Sequence, residues 1–172
     1  MITSIVRDIL VPVAEFPRIA HDASLKEAYA MLHRQHTSGG WRYRHMLVFD
    51  GESKVVGLLS LVDLLRALMP DYIRATLSQH AYSGAMVADS SLSLLWQESF
   101  PAQCRHLAQV SVASHMTPVR HTVRTDDPVT LAAYLMIAHH VHMLPVLEDD
   151  MVAGVVRIVD IFNQAAIEVL RD

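Results

Sequence analysis

Apolar residues along this chain recur in two rhythms. At Leu25, Ala28, Tyr29 and Leu32 they fall at i, i+3, i+4 and i+7, which predicts an amphipathic helix over about 24–36. Ser24 and Glu27 open it as a capping box. A matching helix over about 128–140 follows Asp127 and Pro128, a cap residue ahead of a first-turn proline. Nearly unbroken apolar runs at 45–50 and 54–60, and again at 142–148 and 151–157, predict strand pairs. Asp50-Gly51-Glu52-Ser53 and Asp149-Asp150 supply their turns. Short strands are expected near 18–20 and 121–124, with a helical turn ahead of Pro12 and of Pro118. Closing helices are expected at about 61–69 and 158–170. The order is β-α-β-β-α, twice, an α/β (α+β) class. Strands this apolar belong in sheets covered on both faces.

The doubling extends to the residues. "GLLSLVDLL" at 57–65 returns as "GVVRIVDIF" at 154–162, so Gly57, Ser60 and Asp63 correspond to Gly154, Arg157 and Asp160. The same offset of 97 lays His45-Met46-Leu47 on His142-Met143-Leu144. Upstream, an offset of 105 lays Asp22 on Asp127 and Ala28-Tyr29-x-Met31 on Ala133-Tyr134-x-Met136, and Pro12-Val13 matches Pro118-Val119. The change in offset puts eight extra residues in the first copy, within 33–44, where Ser-Gly-Gly marks a loop. The division expected is a first repeat at 1–69, a helical connecting segment at 70–111 and a second repeat at 112–172. In the connector, "SGAMVADSS" reads as a loop. "LSLLWQESF" reads as a helix that Pro101 interrupts, with Trp96 packed.

Composition narrows the class. With 172 residues the chain can bury roughly 70% of its unfolded surface, so it needs no disulfide or metal to fold. It is 52% hydrophobic and 19% charged, which is not the composition of a disordered chain. A net charge of -4 argues against a nucleic-acid partner. Twelve of the 14 basic residues are Arg, the better side chain for holding phosphate or carboxylate through two hydrogen bonds. Cys104 is the single cysteine, which fits a reducing compartment. "MITSIVRDIL" lacks the pattern of a signal peptide, and no apolar run reaches membrane-span length. A cytoplasmic protein with no membrane contact is the expectation.

The repeated phrase carries the candidate chemistry. Ser60-x-x-Asp63 ahead of an apolar helix is a capping signature. Arg157 has no acceptor with which to cap, yet Asp160 persists, which suggests a second task for the aspartate. A strand end turning into a helix start presents backbone N–H groups to an anion. A carboxylate one turn on can accept from two vicinal hydroxyls, and a hydroxyl or guanidinium can reach a phosphate. Apolar strands can sandwich a base. Together these describe a nucleoside or nucleotide site.

The paired pattern resembles a tandem of cystathionine-beta-synthase (CBS) domains, a Bateman module. The resemblance rests on "DILVPV" and "SHMTPV", on "HMLVFD" and "HMLPVLED", and on the Gly-x-x-[Ser/Arg]-x-x-Asp endings, over about 5–69 and 112–170. It implies a pseudo-symmetric pair of repeats with two clefts and a disc-like homodimer. It also implies a regulatory, non-catalytic role exerted on an effector protein. The implied ligand is AMP, ADP, ATP or S-adenosylmethionine, with no required cofactor. By resemblance Ser60 contacts phosphate and Asp63 and Asp160 contact ribose. Pro12, Val13, Thr117, Pro118, Val119, His142, Met143 and Pro145 line the base slots. Arg157 departs from the Ser/Thr pattern, and either holds a more anionic ligand or pairs with Asp149 or Asp150. Val48 stands against Pro145, so the two slots differ. The insert, with Trp41, Arg42, Tyr43 and Arg44, either covers the first cleft or touches its ligand, which leaves the second cleft the stronger candidate. The alternative is a structural dimerisation or interaction module with no ligand.

Eleven histidines raise the question of metal, with His139 and His142 able to share a helix face. The strand expected from His142 and the lack of a nearby carboxylate weigh against it. His142 beside a base slot would instead make binding depend on pH. No G-x-S-x-G, H-E-x-x-H or P-loop is present.

Overall fold

The computed structural model describes residues 4–37, 43–80 and 90–171. In chain order the elements are β1 (Val11–Pro12), β2 (Arg18–Ala20), α1 (Leu25–Thr37), β3 (His45–Phe49), β4 (Val55–Ser60), α2 (Leu61–Ala67), α3 (Asp71–His80) and α4 (Ser90–Leu107). They continue with β5 (Thr117–Pro118), β6 (Val123–Arg124), α5 (Val129–His139), β7 (Met143–Glu148), β8 (Met151–Arg157) and α6 (Ile158–Val169). Single helical turns at Val6–Asp8 and Val112–Ser114 precede the two prolines.

Two mixed four-stranded sheets result, in the orders β2-β3-β4-β5 and β1-β8-β7-β6. In each, a parallel pair and an antiparallel hairpin come from one half, and the outermost short strand comes from the other. β5 pairs with β4, Gly57 opposite Pro118, and β1 pairs with β8, Gly154 opposite Pro12. This exchange explains the glycine that opens each copy of the repeated phrase. A Cβ on Gly154 would stand 2.2 Å from the backbone oxygen of Val11, and one on Gly57 would stand 2.4 Å from the Met116 sulfur. Only a residue without a side chain lets the strands approach this closely.

The hydrogen-bond register corrects the alignment of the two halves. Ser60 pairs with His45 and Arg157 with Met143, so His45 corresponds to Met143 and Arg44 to His142. Backbone bonds agree: Leu61 N–H donates to Arg44 O and Ile158 N–H to His142 O. Leu25, Ala28 and Leu32 are the buried stripe of α1, and Val129, Ala132 and Met136 that of α5, an offset of 104 rather than 105. The first copy is therefore longer by six residues between α1 and β3 and by one in its hairpin. Identical "HML" letters concealed the slip, because one residue more in the turn moves every strand position by one.

Three buried clusters hold the molecule. One lies in the first half and includes Leu25, Met46, Leu59 and Leu64, with Leu107 and Val112 closing it. One lies in the second half around Val123, Met136 and Leu144. The third joins the halves through Phe16, Tyr43, Leu47, Met143 and Val155. Trp96 packs on the first cluster and donates to Leu68 O at 3.0 Å. Two expectations fail. α4 runs unbroken through Pro101, its packing outweighing the lost backbone bond. Pro128 itself takes the cap position of α5, while the Asp127 carboxylate accepts from Arg124 N–H in the preceding turn. The "SGAMVADSS" loop falls largely outside the described residues, as do Trp41 and Arg42. Among the described residues no helix is long and apolar enough to cross a membrane.

Candidate functional site

β4 ends at Ser60, whose extended backbone makes it the cap of α2. Its hydroxyl accepts from Asp63 N–H at 3.1 Å and donates to Asp63 Oδ2 at 2.6 Å, and its N–H donates to the same oxygen at 2.9 Å. Both partners satisfy orphan helix-end groups, so the sequence signature forms a full capping box. Asp63 Oδ1 accepts from Arg66 at 3.1 Å and, at the 3.5 Å limit, from Thr117, which β5 brings across from the other half. Asp63 is buried, whereas the Arg66 side chain is 58% exposed.

A cavity of about 780 Å³ opens over this corner. Ser60, Asp63, Arg66 and Thr117 line it on one side, and His140, Val141, His142 and Met143 on the other. Arg44 just ahead of β3, His45 in β3 and Leu58 in β4 also line it. Its size is that of an ordinary small-molecule site, and its walls mix apolar strand residues with a few convergent polar groups. Burial lowers the His45 pKa below the usual histidine value; the nearby Asp63 opposes the shift, while His142 and Arg44 add to it.

The second corner is built differently. Asp160 Oδ2 accepts from Arg157 N–H at 3.0 Å and from Arg157 Nε at 2.8 Å, and Oδ1 accepts from the other guanidinium arm at 2.6 Å. The aspartate thus keeps half of the capping box without any acceptor at position 157: it satisfies the backbone N–H itself. Its persistence needs no second task on that ground. Arg157 pairs with Asp160, neither with Asp149 nor with Asp150; Asp150 faces Arg124 at 3.5 Å. Hydrogen bonding to Asp160 raises the Arg157 pKa above its ordinary value. The Tyr43 ring lies with its centroid 6.0 Å from the guanidinium carbon and packs edge-on against Phe16 at 4.8 Å. Tyr43, the last residue but one of the sequence insert, belongs to this corner, and Arg44 beside it belongs to the first.

Of the residues singled out from sequence, Ser60, Asp63, Thr117, His142 and Met143 meet around one cavity. Pro118 and Val119 continue β5 beside β4, with Val119 N–H donating to Val56 O. Pro12 stands opposite Gly154 in the other sheet, and Val13 begins the helical turn that follows it. Pro145 is buried within the sheet, opposite Val155, and does not line the cavity. Arg44, expected from the insert to cover the first cleft or touch its ligand, lines the cavity, and His45, Arg66 and His140, which were not among the ligand candidates, line it too. Arg66 was detectable, one helical turn after Asp63. α5 ends at His139, and His140 takes a left-handed backbone, φ 53°, so His142 leaves the helix face. His139 instead stacks on His121 at 3.8 Å. Among the described residues no group of three or more His, Cys, Asp or Glu side chains is placed to hold a metal.

A doubled strand–turn–helix unit, each sheet completed by a strand of the other copy and a cleft at the junction, defines a tandem-repeat α/β module. The chain belongs to the CBS-domain family: the family model for the CBS domain matches residues 6–70 and 111–166. Solved structures share the fold. The CBS domain of a bacterial CNNM/CorC family Mg2+ transporter, in complex with ATP, is similar at 21% identity and a TM-score of 0.63, over 94% of this chain and 86% of that one. CBSX2 in complex with AMP is similar at 21% identity and a TM-score of 0.62, over 97% and 98%. The CBS domain pair of protein MJ0100, in complex with 5′-methylthioadenosine and S-adenosyl-L-methionine, is similar at 21% identity and a TM-score of 0.61, over 96% and 98%. No curated protein matches the chain.

Proposed function

We propose that this chain is a regulatory, non-catalytic module that binds an adenosine-containing ligand in the cleft at Ser60, Asp63 and Thr117 and passes the change to an effector protein. The observation that carries this reading is the cavity of about 780 Å³ over the start of α2, where those three residues converge from both halves. Asp63 Oδ1 is held by an exposed arginine, a contact worth little in water. A ribose diol can take that oxygen while Arg66 turns to the phosphate, and Ser60 remains to fix Oδ2. The base then lies against Leu58, Val141 and Met143. Asp160 is less available, because both its oxygens are engaged by the partly buried Arg157. The first cleft is therefore favoured over the second, the reverse of the ranking from sequence.

Thermal unfolding with AMP, ADP, ATP and S-adenosylmethionine tests the reading. A ligand at a hundred times its dissociation constant adds about 2.7 kcal/mol. Asp63→Ala should abolish that gain and Asp160→Ala should preserve it. No gain with any of the four ligands removes the ligand-binding reading.

A second reading, a dimerisation module, draws on α5 and α6. Tyr134, Ile137, Phe162 and Val169 are between 66% and 81% exposed, an unusual amount of large apolar surface. A homodimer joined through these helices accounts for it and is compatible with the first reading. Sedimentation should give twice the chain mass for the wild type, and Phe162→Ser should shift the equilibrium to monomer.

A further inference from the structure

We infer that the first cleft takes its ligand as a polyphosphate and takes up protons with it, on His45 and His142. The inference rests on the nucleotide reading above and adds its charge and its regulation. The register places Arg44 and His142 at equivalent strand starts, so the fold brings one basic position from each half to the same cavity. His45 follows Arg44, His140 comes from the turn after α5, and Arg66 comes from α2. Among the described residues, Asp63 is the only carboxylate lining the cavity, and its oxygens are already bonded to Ser60 and Arg66. Beyond the single Asp63–Arg66 pair, the cleft thus collects positive and protonatable groups with no further carboxylate to match them. Adenosine alone would leave them unmatched, and a sulfonium would add to them. Two or three phosphates would neutralise Arg44 and Arg66 and give the histidines a charge to face.

The histidines make this a proton-linked site. Burial, with His142 and Arg44 nearby, disfavours the charged form of His45, against the pull of Asp63. A bound phosphate reverses that balance for His45, and the exposed His142 shares the cavity as a second group able to take a proton facing the phosphates. Binding must then draw protons from solution, and by linkage a lower pH must tighten it.

The test is calorimetric titration of the full chain with ATP, AMP and adenosine at pH 6.5 and pH 8.0, each in two buffers of different ionisation enthalpy. ATP is expected to bind at least about fivefold more tightly at pH 6.5, with net proton uptake. Adenosine is expected to bind weakly at both. His142→Gln, a substitution at an exposed position, and His45→Gln should each reduce the uptake and the pH ratio. The residue of pH dependence left in the double variant is the titration of ATP itself. Identical pH dependence in wild type and variants, or equal affinity for ATP and adenosine, overturns the inference. AMP binding without proton uptake overturns it too, while leaving the nucleotide reading intact. Absence of binding by all three overturns the inference, and the ligand-binding reading falls with it only if S-adenosylmethionine and ADP also fail to bind.

Discussion

In α2 the buried face is Asp63, Leu64 and Ala67; in α6, grown from the same phrase, no residue is buried. The positions correspond one to one. Leu64 is sealed in the first cluster where Ile161 is only half-covered, and Phe162 is 67% exposed where Leu65 is 54% exposed. The difference lies in what surrounds each copy. The first half is closed by the segment between the repeats, whose Trp96 and Leu107 pack on it, Trp96 donating to Leu68 O. The second half has no counterpart among the described residues. A motif therefore sets how a helix begins, and the neighbouring elements set how much of it leaves water.

The sharpest way to break the comparison is to remove the sealed residue and its open counterpart. Leu64→Ala should cost about 2–5 kcal/mol in denaturant unfolding, since it empties a closed site. Phe162→Ala should change monomer stability by about 0.5 kcal/mol or less. Equal losses would mean that α6 is covered in solution. The two crossover glycines come next. Gly154→Ala meets backbone and should cost about 3 kcal/mol, whereas Gly57→Ala meets the flexible Met116 side chain and should cost about 1 kcal/mol.

The two helix starts differ less. Ser60→Ala removes an acceptor for Asp63 N–H and should cost about 1 kcal/mol. Arg157→Ala leaves Asp160 bonded to the backbone N–H and should cost about 0.5 kcal/mol. The smallest effect concerns acid. Burial, the largest cause at each, lowers the pKa of His45 and of His115, so the unfolded chain binds protons more readily there. Their contribution is intact above the ordinary histidine value of 6.5 and declines as pH falls from there toward the lowered folded values. A stability profile from pH 8 to pH 5 should show this decline, and His115→Gln should flatten it.

The helices, the hairpins and the doubled order were all legible, because apolar spacing is a local property that survives in the letters. The Ser60–Asp63 box was legible for the same reason, its two partners lying one turn apart. The partner of Arg157 was also within one turn. It was not legible because the same aspartate also fits a ribose contact, and spacing alone does not say which partner it takes. The register of "HML" was misread because identical letters outweighed the single residue added to the first hairpin.

By itself the sequence determined the repeat, the main helices and hairpin strands, the family and five residues of one cavity, since each follows from spacing along the chain; the two-residue strands β1 and β5 were not legible in it. Only the tertiary structure decided that each half completes the sheet of the other, which is why Thr117 stands beside Asp63, 54 residues away in sequence. It also decided that Arg44, His45 and His142 share a cavity and that Asp160 is already engaged. The physical reason is one of range. Helix caps and alternation are written within a turn or a strand, whereas a strand exchange is selected by the joint burial of two apolar faces, which no local window contains.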